Sequence, residues 1–238
     1  MGNKSLDYLK KSHKNVFDNN VGETKIQGIL VFVKDPLPKN VDMRSCLKYV
    51  LERMPKTVLS GVERIMIGQF PFLQSRHVDA IFDDGIIYVS NVHENNLDFY
   101  TDVVHEIGHA FEEKNKDFLY GDGEIEREFL GKREKLFQLL DKNNLIAHPI
   151  TKEMFEKTKY DKNFDEFLYR KIGYGLLRNF TEGLFISPYG ATCIREYYGN
   201  AFENFFTNDI FLVKKYSPAV YDKLIEFLEM WNVWSNKR

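Results

Sequence analysis

Apolar positions change their rhythm partway along the chain. Up to Ser90 short strand-like apolar runs mix with one helix, and beyond it apolar positions recur every three or four residues. Ile26 to Val33 reads as a strand, closed by Asp35-Pro36-Leu37-Pro38, which no helix could cross. Asp42 can cap a helix that runs to about Met54 and stops at Pro55. Val62 to Ile67 alternates like a strand and ends at Gly68. Val78 to Phe82 and Ile86 to Ser90 flank Asp83-Asp84-Gly85, the turn of a β-hairpin. Asn95 or Asn96 then introduces a helix whose buried stripe would be Val103, Val104, Ile107, Ala110 and Phe111.

The remainder is predicted to be helical. One stripe is Ile125, Phe129, Leu136, Leu139 and Leu140; another is Phe164, Phe167, Leu168 and Ile172; a third is Tyr197, Ala201, Phe202 and Phe205. A last helix, roughly Pro218 to Trp234, carries Leu224, Ile225, Phe227, Leu228 and Trp231. Internal repeats and low-complexity linkers are absent from the sequence. The expectation is an α+β chain forming a single domain over 1–238. Residues 1–114 supply a mixed sheet and a long helix, and 115–238 supply a mainly helical lobe.

Composition narrows the possibilities without deciding among them. With 43% hydrophobic and 15% aromatic residues, the chain has ample material for a packed core. A net charge of −2 gives neither sign the upper hand, which argues against a general nucleic-acid or membrane-surface binder. Cys46 and Cys193 make no paired-cysteine metal motif and are expected to be reduced, partly buried thiols. Met1 to Leu6 lacks the apolar run of a secretory signal and misses the myristoylation pattern by one position. No segment supplies the ~18 consecutive apolar residues of a membrane span. The expectation is a protein that is cytoplasmic as synthesised, a state compatible with later release by a non-classical route.

The chemistry is concentrated in His105-Glu106-Ile107-Gly108-His109, an HExxH pentad inside the long helix. Histidines four apart project from one face, one turn above each other. Their imidazoles can occupy two corners of a tetrahedral zinc site, with the intervening glutamate beside the water that zinc activates. Gly108 costs about 1 kcal/mol relative to alanine in a helix interior, which is explicable where another backbone approaches closely. The charged run Glu112 to Lys116 reads as a solvated helix end.

A catalytic zinc needs a third protein ligand and one open position. Glu112 and Asn115 stand where an extended HExxHxxGxxH motif would have glycine and histidine, so a downstream carboxylate is required. The best candidate is Glu196, in Ser187-Pro188-Tyr189-Gly190-Ala191-Thr192-Cys193-Ile194-Arg195-Glu196-Tyr197-Tyr198-Gly199-Asn200-Ala201-Phe202. Pro188-Tyr189-Gly190 makes a turn, and Thr192 can cap the helix that carries Glu196. Glu182 is the rival ligand. His13, His77, His93 and His148 read as surface or packed residues rather than ligands.

The Tyr-Gly-x-Thr turn, followed by a glutamate, two aromatics and x-Asn-Ala-Phe, resembles the C-terminal catalytic signature of anthrax lethal factor-type metallopeptidases. That group includes the bacterial Pro-Pro endopeptidases. The resemblance covers roughly residues 60–114 and 185–206, and Val58 to Ile65 with the following hairpin is similar more loosely to the family's substrate-side strands. It implies a zincin-like fold, in which the pentad helix is the active-site helix, with one Zn²⁺ per chain. It further implies His105, His109 and Glu196 as metal ligands, Glu106 as general base and Tyr189 as a phenol facing the metal. Two departures stand out. An extra helical insert, about Glu124 to Arg170, lengthens the path from His109 to Glu196, and Asn200 replaces a carboxylate that the family often has one turn beyond the ligand.

The function expected from these residues is zinc-dependent endopeptidase activity on a protein or peptide. Val78 to Phe82 is the candidate sheet edge for the substrate strand. The alternatives are a catalytically inactive zincin scaffold that binds a partner, with the insert as its interaction surface, and zinc hydrolysis of a non-peptide substrate. Substrate identity and oligomeric state are not encoded in any of these motifs.

Overall fold

The computed structural model describes residues 22–36, 41–207 and 210–235. His13, the Met1 to Leu6 start and the Leu37-Pro38 part of the expected turn lie outside them. The chain divides into two compact units, Met1–Lys114 and Asn115–Arg238. Among the described residues, no helix is long and apolar enough to cross a membrane. The architecture is α+β, with a five-stranded mixed sheet and a mostly helical remainder.

The first unit carries strands β1 (Gly22–Ile26), β2 (Ile29–Val33), β3 (Arg64–Ile67), β4 (Ala80–Asp83) and β5 (Ile86–Val89). Their order is β1-β2-β3-β5-β4, with β2, β3 and β5 parallel and both outer strands antiparallel to their neighbours. Register aligns Val31, Ile65, Ile87 and Phe82 in one row across the sheet, and Val33, Ile67 and Val89 in the next. All seven side chains are buried. An alternating run places every second residue on one face, and these rows are that face.

The single strand expected from Ile26 to Val33 is instead a hairpin. Gln27 and Gly28 both adopt positive φ, at 52° and 94°, which is the two-residue turn that matches strand twist. The sequence concealed β1 because its residues are only half-buried or exposed, and no apolar alternation marks them. Helix α1 (Met43–Arg53) starts at Asp42, whose carboxylate accepts from the Ser45 N–H at 3.1 Å. A short helix α2 (Pro71–Arg76), not foreseen from periodicity, opens on Pro71, and His77 closes it in the left-handed region. Six residues are too few to establish a 3.6-residue period.

Helix α3 (Asn96–Lys114) is the longest element among the described residues of this unit and packs on β4, β5, α1 and the 3₁₀ turn Leu59–Gly61. The Asn95 side chain caps it, accepting from the N–H groups of Leu97 and Asp98 at 2.8 and 3.1 Å. Val103, Val104, Ile107, Ala110 and Phe111 are buried as the stripe predicted. Close backbone approach occurs at Gly61: a Cβ there would stand 2.5 Å from the Ala110 carbonyl oxygen.

The second unit begins with α4 (Lys116–Tyr120) and α5 (Glu124–Lys142), followed by α6 (Lys152–Phe155) and α7 (Lys162–Glu166). A π-helical stretch, Phe167–Gly173, leads into α8 (Tyr174–Thr181). After the 3₁₀ turn Tyr189–Ala191 come α9 (Ile194–Thr207), α10 (Ile210–Tyr216) and α11 (Pro218–Ser235). The α5 stripe departs from expectation at one place. Leu139 is 39% exposed, while Arg133 is buried among Ile125, Phe129, Leu136 and Leu140. Phe164, Phe167, Leu168 and Ile172 are all buried, but on a helix that changes from α to π between them. Phe205 lies only half-buried on α9.

The Gly61 contact gives a direct test of how tightly α3 is seated. Gly61→Ala forces the 59–61 turn and the Ala110 backbone apart. The expected loss is about 1–3 kcal/mol of stability, typical of overpacking, read as a lower denaturant midpoint in equilibrium unfolding.

Candidate metal centre

Helix geometry sets the first two donors. His105 and His109 are one turn apart on α3, with ring centroids 4.7 Å apart and planes at 84°. His109 is 3% exposed, and Glu106 between them is 8% exposed. One ligand atom from each of His105, His109 and Glu196 lies within 4.8 Å of the others, so this group could hold a metal ion. Two imidazole nitrogens and one carboxylate oxygen form a set that borderline divalent cations accept.

Neighbouring groups restrain these side chains. His109 Nδ1 lies 3.3 Å from the Glu112 carboxylate, one turn further along α3. A carboxylate at Nδ1 favours the tautomer with its proton there and raises the basicity of Nε2, the nitrogen then suited to a cation. Glu112 is therefore not part of a solvated helix end: it is 8% exposed, whereas Glu113 and Lys114 do face solvent. Its i,i+3 spacing from His109 was the signal in the sequence that could have identified it.

Glu106 has a defined partner as well. The backbone N–H of Phe82 donates to Glu106 Oε2 at 2.6 Å. Phe82 lies on β4, the terminal strand of the sheet order, and pairs with Ile87 of β5 on its inner side. Its N–H thus points outward, and the Glu106 carboxylate sits against the outer edge of β4.

In the second unit, Tyr189 and Glu196 belong to one tightly bonded segment. The Thr192 hydroxyl donates to the Tyr189 carbonyl at 2.7 Å. That interaction replaces the helix cap expected of Thr192, and α9 starts two residues later at Ile194. Asn200, which stands where the resembled family often has a carboxylate, bonds within the same segment. Its side-chain oxygen accepts from the Ser187 hydroxyl, and its amide donates to the Glu196 carbonyl at 2.9 Å. Asn200 therefore ties the start of the tyrosine turn to the glutamate helix. Burial raises the Tyr189 phenol well above the ordinary tyrosine range, and the Glu196 carboxylate pushes it further in the same direction. Both influences favour the neutral phenol over the phenolate.

The other candidates fall away. Glu182 is exposed at the end of α8 and is not one of the grouped donors. His77 and His148 are exposed, and buried His93 pairs through Nε2 with Asp102 at 3.0 Å. Cys46 and Cys193 are both buried thiols outside any disulfide. No family model, curated protein or solved structure matches the chain.

Removal of a donor should separate ligands from their supports. His105→Ala and Glu196→Ala are expected to remove the binding of a divalent cation at this group, probed with Co²⁺ in a chelator competition assay. Glu112→Gln should weaken it by about 10–100-fold, the usual effect of removing a group that orients a ligating histidine. Glu182→Gln should leave it unchanged.

Proposed function

We propose that the chain is a zinc-dependent endopeptidase. The observation that carries this reading is the donor group of His105, His109 and Glu196, with Glu106 next to His105 on the same helix. Two histidines and a carboxylate are the donor set of many catalytic zinc sites, which keep a fourth position open. The resemblance to lethal factor-type metallopeptidases, carried by the pentad and the Tyr189 to Phe202 segment, supports the same reading.

Zinc, when bound, acts as a Lewis acid toward a carbonyl and brings the pKa of water down toward about 7. The remaining chemistry belongs to the chain. Glu106 takes a proton from the attacking water and later delivers it to the departing amine. Its contact with the Phe82 N–H fixes one carboxylate oxygen and leaves the other as the proton acceptor of this proposal. Tyr189 donates a hydrogen bond to the carbonyl oxygen as that atom gains negative charge, a role that a neutral phenol can fill. The outer edge of β4 offers backbone groups to an extended peptide, which would add to the sheet as a further strand.

Cleavage of a peptide library by the native chain, set beside Glu106→Gln at equal zinc occupancy, tests the proposal. The variant should bind zinc and unfold like the native chain yet lose hydrolysis. Full activity of Glu106→Gln would end the reading, and an inert native chain loaded with zinc would favour a binding scaffold. Tyr189→Phe should lower kcat by about 10²–10³-fold with little change in KM, the signature of a contact made in the transition state.

A further inference from the structure

The side chain of Arg133 is the least expected occupant of the second unit's core. It is 1% exposed on α5, and its guanidinium carbon lies 3.9 Å above the Phe164 ring centroid, with Phe129 and Phe155 at 5.4 and 5.5 Å. Burial pulls its pKa down to about 9, so it remains charged at neutral pH. An apolar residue would pack into such a site without burying a charge.

The partners of the guanidinium explain its presence. Nη1 donates to the carbonyls of Ala191 at 2.9 Å and Thr192 at 3.0 Å, and Nη2 donates to the carbonyl of Met154. Ala191 and Thr192 lie between Tyr189 and Glu196, where the chain leaves a 3₁₀ turn and has not yet entered α9. Helix geometry supplies no partners for carbonyls in such a junction, and a buried carbonyl left unpaired is costly. Other contacts from the insert grip the same stretch. The Ile194 N–H donates to the Thr158 carbonyl at 2.9 Å. Glu128, also on α5, accepts a hydrogen bond from the Tyr197 hydroxyl and one from the Ala219 N–H at 2.9 Å. The residues flanking Glu196 on both sides are thus held by α5 and the segment after it.

We propose that Arg133 is a positioning residue for the Tyr189–Glu196 segment, and that the insert from 124 to 170 is the brace holding this segment in its working conformation. The proposal deepens the metallopeptidase reading and rests on it for the roles of Tyr189 and Glu196. The clamp itself is defined by geometry within the second unit. Charge is required because one planar group must satisfy three carbonyls arriving from two separate stretches of chain. Lysine, with a single nitrogen, cannot reproduce that fork.

The test uses the full chain in a Cys46→Ser background, where Cys193, buried next to Thr192, becomes the only thiol. Three variants are compared below their unfolding temperatures: Arg133→Met, Arg133→Lys, and Leu140→Ala, which damages the same helix core two turns away. The readouts are the rate at which an aromatic disulfide reagent modifies Cys193, the affinity and visible absorption of bound Co²⁺, and kcat and KM on a peptide that the native chain cleaves. Arg133→Met should speed Cys193 modification at least about tenfold and weaken Co²⁺ by about 10–100-fold. It should lower kcat more than it raises KM, with Arg133→Lys intermediate and Leu140→Ala changing unfolding alone. Native-like Cys193 rates and Co²⁺ affinity in folded Arg133→Met, or equal changes in Leu140→Ala, overturn the proposal. If Arg133→Met does not fold, Arg133→Lys against Leu140→Ala decides by the same criteria. If the native chain itself fails to bind Co²⁺, the metallopeptidase reading falls, while the Cys193 rates still judge the clamp.

Discussion

The pitch of an α-helix makes the candidate centre possible. Four residues bring His105 and His109 back to the same side of α3, and this is useful only if the helix cannot roll. Rolling is prevented by the opposite stripe, where Val103, Val104, Ile107, Ala110 and Phe111 are buried almost completely. A fully buried side chain of this kind contributes about 1.5–3 kcal/mol, so rotating the stripe into water would cost several times that amount. Asn95 fixes where the helix begins, and Gly61 lets the Leu59–Gly61 turn close on its Ala110 backbone. The two imidazoles inherit their placement from packing on the far side of the helix.

Much of this was legible in the sequence. Alternation gave β3, the Asp83-Asp84-Gly85 turn gave β4 and β5, the Asp42 cap and the Pro55 stop gave α1, and a period near 3.6 gave α3, α5, α9 and α11 to within a few residues. The failures have identifiable causes. Strand β1 escaped because its side chains are exposed or half-buried and carry no apolar signal, leaving the positive φ of Gln27 and Gly28 as its only mark. The short helices α2, α4, α6 and α10 have too few turns to build a period, whereas α7 was read together with the π-helical stretch that continues it. Glu112 was misread because a run of charges was treated as a unit, when only one member of the run points back to His109.

Arg133 illustrates a different limit. A periodic reading of α5 assigns its inner face to apolar residues and its charges to solvent, and it therefore chose Leu139 over Arg133. The structure reverses that pair because three carbonyls required a donor. Those carbonyls belong to residues 154, 191 and 192, distant in sequence and invisible to any local pattern. Satisfaction of buried polar groups is a property of the folded chain, and hydrophobic periodicity contains no information about it.

The contact between Glu106 and Phe82 links the chemistry to the sheet in the same non-local way. A strand at the edge of a sheet presents a row of N–H and C=O groups that invite another chain to pair. On β4 one of these donors is taken by the residue proposed as general base. While the carboxylate holds the Phe82 N–H, this donor is closed to a further strand, and pairing along the outer side of β4 is confined to its remaining groups. A residue 24 positions further along the chain thus decides which backbone groups the sheet edge presents, a coupling that no local pattern in either segment contains.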